Sequence, residues 1–164
     1  MKYTPFERTF IIAEIGGNHE GDFKYAKKLL YDAIESGADA VKFQTYKPEK
    51  IVNKLVDKDR YDHFSKFSLD DDQFLELAQI SKDNNIIFMS SVWDMDSLEL
   101  LDPFIEVHKI GSGDITNYPL IQEIVKKGKP TIISTAMTTI EEIRSVVDFI
   151  LKVDTSILSE NRLG

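Results

Sequence analysis

Short apolar runs alternate along this chain with segments whose apolar residues recur every three or four positions. Residues 10–15 read as a buried strand closing at Gly16-Gly17-Asn18-His19. Asp22 can cap the next helix, where Ala26, Leu29, Leu30, Ala33 and Ile34 keep helical spacing up to Gly37. The same criteria give strands over 38–45, 86–92, 105–110 and 130–135. Ser68 with Asp71 and Thr138 with Glu141 read as capping boxes. Phe74, Leu77, Ala78 and Ile80 form an apolar face behind the first; Ile140, Ile143, Val147 and Ile150 follow the second. A short helix runs from Asp94 to Leu101, before Pro103. Another opens at Tyr118 and Pro119 and buries Leu120, Ile121, Ile124 and Val125 before Gly128. Residues 46–67 are polar and show no strong period, which predicts a lid or a disordered insertion.

Five βα units in succession predict an α/β fold with a parallel sheet and right-handed crossovers. Two architectures fit: a doubly wound open sheet, or part of a (β/α)8 barrel. The first strand–helix turn, residues 16–21, is not a G-x-G-x-x-G fingerprint, and there is no P-loop. That weakens the dinucleotide-binding reading.

Composition adds exclusions. The 164 residues suffice for one domain with a real core, and 42% hydrophobic with 29% charged residues is ordinary for a globular chain. The chain has no cysteine, so disulfides and thiolate metal sites are ruled out. A net charge of −8 without a basic run argues against nucleic acid. The first nine residues are polar and the first apolar run is too short to span a membrane, so the simplest expectation is a cytoplasmic protein.

The polar residues at the strand ends carry the chemistry. Ligands in parallel α/β proteins bind at the carboxyl ends of the strands. Here those ends supply Glu14, Asn18 and His19; Lys42 and Gln44; Ser90, Ser91 and Trp93; Lys109, Ser112 and Asp114; and Ser134 with Thr135. Lys42 and Gln44 share one face of their strand, opposite Val41 and Phe43. A lysine in an apolar strand is costly to bury unless it is paired or faces a ligand. The stretch 107–119 joins Lys109 and Gly-Ser-Gly to a helix start, a combination that suits an anion. Bland readings exist for each part: an ordinary tight turn at Gly-Ser-Gly, a structural Lys42–Glu14 salt bridge, a packed His108, a solvated His63. His19 is a plausible site residue on weak grounds. Jointly the residues point to a polyanionic, phosphate- or carboxylate-bearing small molecule.

Four motifs, in order, are Ile12-Ala-Glu-Ile-Gly-Gly-Asn-His-Glu-Gly21, Gly37-Ala-Asp-Ala-Val-Lys-Phe-Gln44, Lys109-Ile-Gly-Ser-Gly-Asp114 with Asn117-Tyr-Pro-Leu120, and Gly128-Lys-Pro-Thr-Ile-Ile-Ser-Thr-Ala-Met137. Together they resemble the sialic acid (N-acetylneuraminate) synthase family. The resemblance implies a TIM barrel that condenses phosphoenolpyruvate with an N-acetylated amino sugar such as N-acetylmannosamine, with release of phosphate. It implies a divalent metal (Mn²⁺ or Mg²⁺), a cytoplasmic homodimer and neither nucleic acid nor membrane as partner. By motif, Lys42, Gln44, Lys109, Ser112 and Ser134 would hold phosphoenolpyruvate, and Glu14 would sit near the aldehyde and metal. Glu14, Lys42 and Lys109 are thus the catalytic candidates, with Gln44, Ser91, Ser112, Asp114, Asn117 and Ser134 as substrate-binding candidates.

Departures from the family pattern bear on the sugar. Ser90-Ser91-Val92 stands where Ser-Thr-Pro is usual, Asp114 where glutamate is common, and Ala136 where glycine is usual. Sugar selectivity is expected to depend on residues 46–67 and on regions not present. The family's later barrel strands and its antifreeze-like domain have no counterpart here. The metal-binding histidines that those strands carry are expected to lie beyond Gly164, so no metal ligand is assigned within the chain. Residues 1–164 are therefore expected to be a partial barrel, since a full one needs about 250 residues. Five strands would leave two open sheet edges. Two other readings stay open: a non-catalytic partial barrel that binds phosphoenolpyruvate or pairs with another chain, and a related phosphoenolpyruvate-dependent synthase for another sugar.

Overall fold

A computed structural model describes residues 9–158 and 162–163. Two expectations fall outside those residues. One concerns the polar start of the chain, residues 1–8, and the other Gly164, beyond which the metal-binding histidines are expected. Five strands alternate with helices, and the chain divides into two compact units, one up to Ile105 and one from Glu106.

The first unit contains β1 (Ile12–Gly16), α1 (Phe23–Glu35), β2 (Ala40–Thr45), α2 (Pro48–Ile51), α3 (Lys58–Phe67), α4 (Asp71–Asp83), β3 (Ile87–Val92) and α5 (Met95–Leu101). β2 lies between β1 and β3, parallel to both. Asp22 caps α1 by accepting from the Tyr25 N–H at 3.0 Å, and Ala26, Leu30 and Ala33 form its buried face. Beyond Ser36, Gly37 takes a left-handed φ of 77°, which glycine adopts without the cost of a Cβ. α4 buries Phe74, Leu77 and Ala78, and α5 buries Leu98 and Leu101. The β2 residues Val41 and Phe43 are wholly buried, with the Phe43 ring 5.8 Å from that of Phe88.

Residues 46–67 are not the structureless lid or insertion that their polarity suggested. They form α2 and α3, because Asp57 caps α3 by accepting from the Arg60 N–H at 3.0 Å. The α4 cap also differs from the expectation. Asp70, not Ser68, is the N-cap, and Gln73 completes the box by accepting from the Asp70 N–H at 3.0 Å.

The second unit contains β4 (His108–Ile110), α6 (Tyr118–Lys126), β5 (Thr131–Ile133) and α7 (Ile140–Val153). β4 and β5 are parallel, with Lys109 opposite Ile132. β4 is shorter than the sequence suggested, since Ile105 and Val107 are buried outside the strand. The α7 box also shifts by one residue, to Thr139 with Glu142. Helices α6 and α7 meet through Tyr118 and Phe149, whose rings lie edge to face at 4.8 Å.

After α7 the chain folds back on β5. Leu163 forms a parallel bridge with Thr131, and the Thr131 N–H donates to the Arg162 carbonyl at 2.7 Å. The Arg162 guanidinium reaches Asp154 at 2.6 Å and Ser156 at 2.9 Å. The side of β5 expected to be an open edge is therefore partly occupied. Among the described residues, no helix is long and apolar enough to cross a membrane.

Candidate functional site

In the first unit the parallel register sets the site. Glu14 stands opposite Lys42, and Gln44 opposite Ser91. Lys42 is buried, yet its Nζ lies 2.9 Å from Glu14 Oε2 and donates to Ser91 Oγ at 3.3 Å. The ion pair that had a purely structural reading is thus present. Glu14 keeps 56% of its side-chain surface exposed, so the pair is closed on one side and open on the other. Lys42 itself keeps only 6% of its side-chain surface exposed, so an anion would reach it by displacing the half-solvated Glu14 carboxylate.

Gln44 lies against the β1–α1 turn. A Cβ at Gly16 or Gly17 would stand 3.6–3.9 Å from the Gln44 amide, which is ordinary contact, and at Gly16 the φ of 59° favours glycine. His19 does not line the site. It is buried, accepts from the Gly21 N–H through Nδ1 at 3.1 Å and has its ring 6.3 Å from that of Phe43. Burial lowers its pKa below the ordinary histidine value, as expected of an imidazole kept neutral.

Beside Gln44 opens a pocket of about 270 Å³, walled mainly by aromatic residues. Tyr46 and Trp93 follow β2 and β3 and stack at 4.8 Å, tied by the Trp93 N–H donating to the Thr45 carbonyl at 3.1 Å. Phe64 of α3 meets both edge-on, at 5.2 Å from Tyr46 and 5.8 Å from Trp93. The Tyr46 hydroxyl donates to the Phe64 carbonyl at 3.3 Å, and burial raises its pKa. His63 and Phe67 of α3 complete the wall, with rings 4.7 Å apart. His63, expected to be merely solvated, is exposed but packed against two aromatic neighbours.

Two contacts hold this wall. A Cβ at Gly21 would stand 2.1 Å from the Lys66 carbonyl, so only glycine lets α3 come so close to the β1–α1 loop. Asp94, buried ahead of α5, accepts from the Lys47 N–H at 2.8 Å and fixes the chain just past Tyr46. Sequence reasoning missed the wall. Phe64 and Phe67 at helical spacing behind Asp57 are the signal that could have revealed it.

In the second unit Lys109 is buried, donates to the Ile110 carbonyl at 3.1 Å and hydrogen-bonds to Ser134. Ser112 and Asp114 lie in a short 3-10 turn, closed by the Asp114 N–H donating to the Gly111 carbonyl at 3.0 Å. Asp114 is half-buried, and desolvation raises its carboxyl pKa. A Cβ at Gly111 would press on Asp114 Oδ2 at 3.2 Å, so glycine leaves room for that carboxylate. Asn117 caps α6 by accepting from the Leu120 N–H at 3.4 Å, which commits its oxygen. The Gly-Ser-Gly stretch is thus an ordered turn that places an acid two residues beyond Ser112. Among the described residues, no three histidine or carboxylate side chains gather as a metal site. The residues present do not by themselves fit the divalent metal that the resemblance implies, and Gly164, past which its ligands are expected, lies outside the described residues.

Comparison with known proteins gives a consistent set. A NeuB family model matches residues 29–160. The N,N'-diacetyllegionaminic acid synthase of Legionella pneumophila is 40% identical over 152 residues, covering 85% of this chain and 43% of that protein. The N-acetylneuraminate-9-phosphate synthase of Drosophila melanogaster is 35% identical, over 86% of this chain and 41% of that protein. The crystal structure of N-acetylneuraminic acid synthetase from Leptospira borgpetersenii in complex with citrate superposes with a TM-score of 0.82. It is 27% identical, over 93% of this chain and 56% of that one. The chain spans less than half the length of those two curated relatives.

Proposed function

Because the chain belongs to the NeuB family, we propose that it is the phosphoenolpyruvate-binding part of a nonulosonic acid synthase. In this reading residues 1–164 are the first five βα units of a barrel. The reaction joins phosphoenolpyruvate to an N-acetylated amino sugar and yields a nine-carbon 2-keto sugar acid. The methylene carbon of phosphoenolpyruvate attacks the sugar aldehyde, water adds to the resulting oxocarbenium, and phosphate departs.

The observation that carries this reading is Lys42, buried at a strand end between Ser91 Oγ and a half-exposed Glu14. Phosphoenolpyruvate concentrates negative charge on its phosphate and carboxylate, and both need a preorganised cation and donors. Lys42 and Ser91 would hold that anion. Its arrival would compete with Glu14 for the ammonium and leave the carboxylate free to face the aldehyde. Gln44 would orient the substrate. On the second unit, Lys109 with Ser112 and Ser134 would act as a further set of anion donors, and Asp114 and Asn117 as polar contacts.

Calorimetric titration of the 164-residue chain with phosphoenolpyruvate tests the reading. Saturable binding is expected, and Lys42→Ala should weaken it by about a hundredfold, as truncating one partner of a close charge pair does. Unchanged affinity in that variant would remove Lys42 from the site.

A further inference from the structure

We propose that His19 is a positioning residue: in its neutral form it seats helix α3 on the β1–α1 turn, and a second proton on its ring unseats the helix. The inference goes beyond the synthase reading and stands without it.

The turn is built around this ring. The N–H groups of Asn18, Glu20 and Asp22 donate to the backbone carbonyls of Ile15, Gly17 and His19, at 3.0, 3.0 and 2.9 Å. The Gly21 N–H donates instead to a side chain, His19 Nδ1, at 3.1 Å. Glu20 and Gly21 both take left-handed φ values, 55° and 79°. For a residue with a Cβ such as Glu20 that conformation is unfavourable and persists only where surrounding contacts impose it. The bond from Gly21 to His19 spans this pair. Gly21 is also where α3 rests, since a Cβ there would stand 2.1 Å from the Lys66 carbonyl. One hydrogen bond thus braces both the left-handed pair and the seat of the helix.

Protonation removes that bond. Nδ1 accepts, so the neutral ring carries its proton on Nε2. A second proton goes to Nδ1 and sets one N–H against another. The imidazolium also lacks a counter-charge. The ring is 1% exposed, and Nε2 has no hydrogen-bond partner among the described residues. Glu14 of β1 is held by Lys42 of β2, on the strand face opposite Phe43. In the turn, Glu20 lines the neighbouring pocket and Asp22 caps α1. Lys27 of α1 pairs with Glu76 of α4, and His63 and Lys66 of α3 lie against the Phe67 ring. None of these groups hydrogen-bonds to the His19 ring, and burial alone lowers its pKa. The seated form is therefore complete above the ordinary histidine pKa and gives way as pH falls toward the lower folded value.

Residue-resolved hydrogen exchange of the 164-residue chain between pH 7 and pH 5 tests the inference, with the intrinsic pH dependence of amide exchange divided out. From the ordinary histidine pKa down to the folded value, opening at Gly21 and along α3 should rise together. The expected slope is about tenfold per pH unit, the linkage of one proton. The amides of Val41 and Phe43 in β2 should stay protected. His19→Gln, whose amide oxygen can accept from Gly21 but takes up no proton, should abolish the rise. His63→Gln should keep it, which separates the two histidines of this region. A rise that survives in His19→Gln, or that vanishes in His63→Gln, overturns the inference. So does flat exchange at Gly21 and α3, or a rise shared with β2, which is acid unfolding of the whole unit. If His19→Gln does not fold, the ring ¹⁵N signals of the unaltered chain decide. They should show the Nε2–H tautomer at pH 7 and protonation where the rise levels off; an Nδ1–H tautomer or a mismatch overturns the inference. Each of these outcomes leaves phosphoenolpyruvate binding at Lys42 to its own test.

Discussion

The strand ends around Lys42 and the α3 wall of the pocket are neighbours built on opposite physical terms. Glu14, Lys42, Gln44 and Ser91 are placed by the ladder of a parallel sheet, and moving any of them means breaking register. The wall is a ten-residue helix with no fully buried residue, held by a cap, a few ring contacts and one close approach at Gly21. Under the proposed synthase reading, rigid sheet would hold what the chemistry cannot misplace, and a lightly held helix would carry what can change with the substrate.

Four changes test that contrast. The largest effect belongs to Lys42→Ala, whose hundredfold loss of phosphoenolpyruvate affinity should come with an unchanged melting temperature, because the Glu14 left behind is already half in water. A cooperative destabilisation of the chain instead would make the pair structural. Next, Gly21→Ala should push α3 off the loop, costing about 2 kcal/mol for the clash and the left-handed backbone. Trp93 emission should then shift toward that of a solvated indole while calorimetric phosphoenolpyruvate binding survives. If both properties fail together, wall and strand ends are one mechanical element and the contrast is lost.

A smaller effect is expected from Asp57→Ala, which removes the α3 cap and should cost about 1 kcal/mol. Proteolytic cleavage within residues 58–67 should speed up before any other site. The smallest effect is acid sensitivity. The folded pKa of His19 lies below its ordinary value, so the unfolded chain binds its proton first. The His19 contribution to stability is complete above the ordinary histidine pKa and is lost as pH falls from there toward the folded value. A His19→Gln chain should show a flatter melting temperature between pH 7 and pH 5 than the unaltered chain.

The strand ends were legible in the sequence and the wall was not. A two-residue period is enough to put Lys42 and Gln44 on one face, and a lysine in an apolar run announces itself. The βα succession was equally plain, down to Asp22 at the start of α1 and Pro119 in the first turn of α6. Capping boxes slipped by one or two residues because Ser68, Asp70, Asp71 and Asp72 compete for the same role, and only the backbone decides. Helix α3 stayed hidden because its apolar face is three aromatic residues, Tyr61, Phe64 and Phe67, set among charges. Tyr46 and Trp93, the partners of Phe64, are 47 residues apart in the chain, and nothing local links them.

The turn-back after α7 has a consequence for self-association. A sheet-edge strand with free N–H groups is a template for another chain. Here the Thr131 N–H is already spent on the Arg162 carbonyl, and that segment is itself clamped by the Arg162–Asp154 pair. The clamp is ionic and partly solvated, so it weakens with salt. Raised ionic strength is therefore expected to loosen the cover on β5 through one guanidinium and one carboxylate.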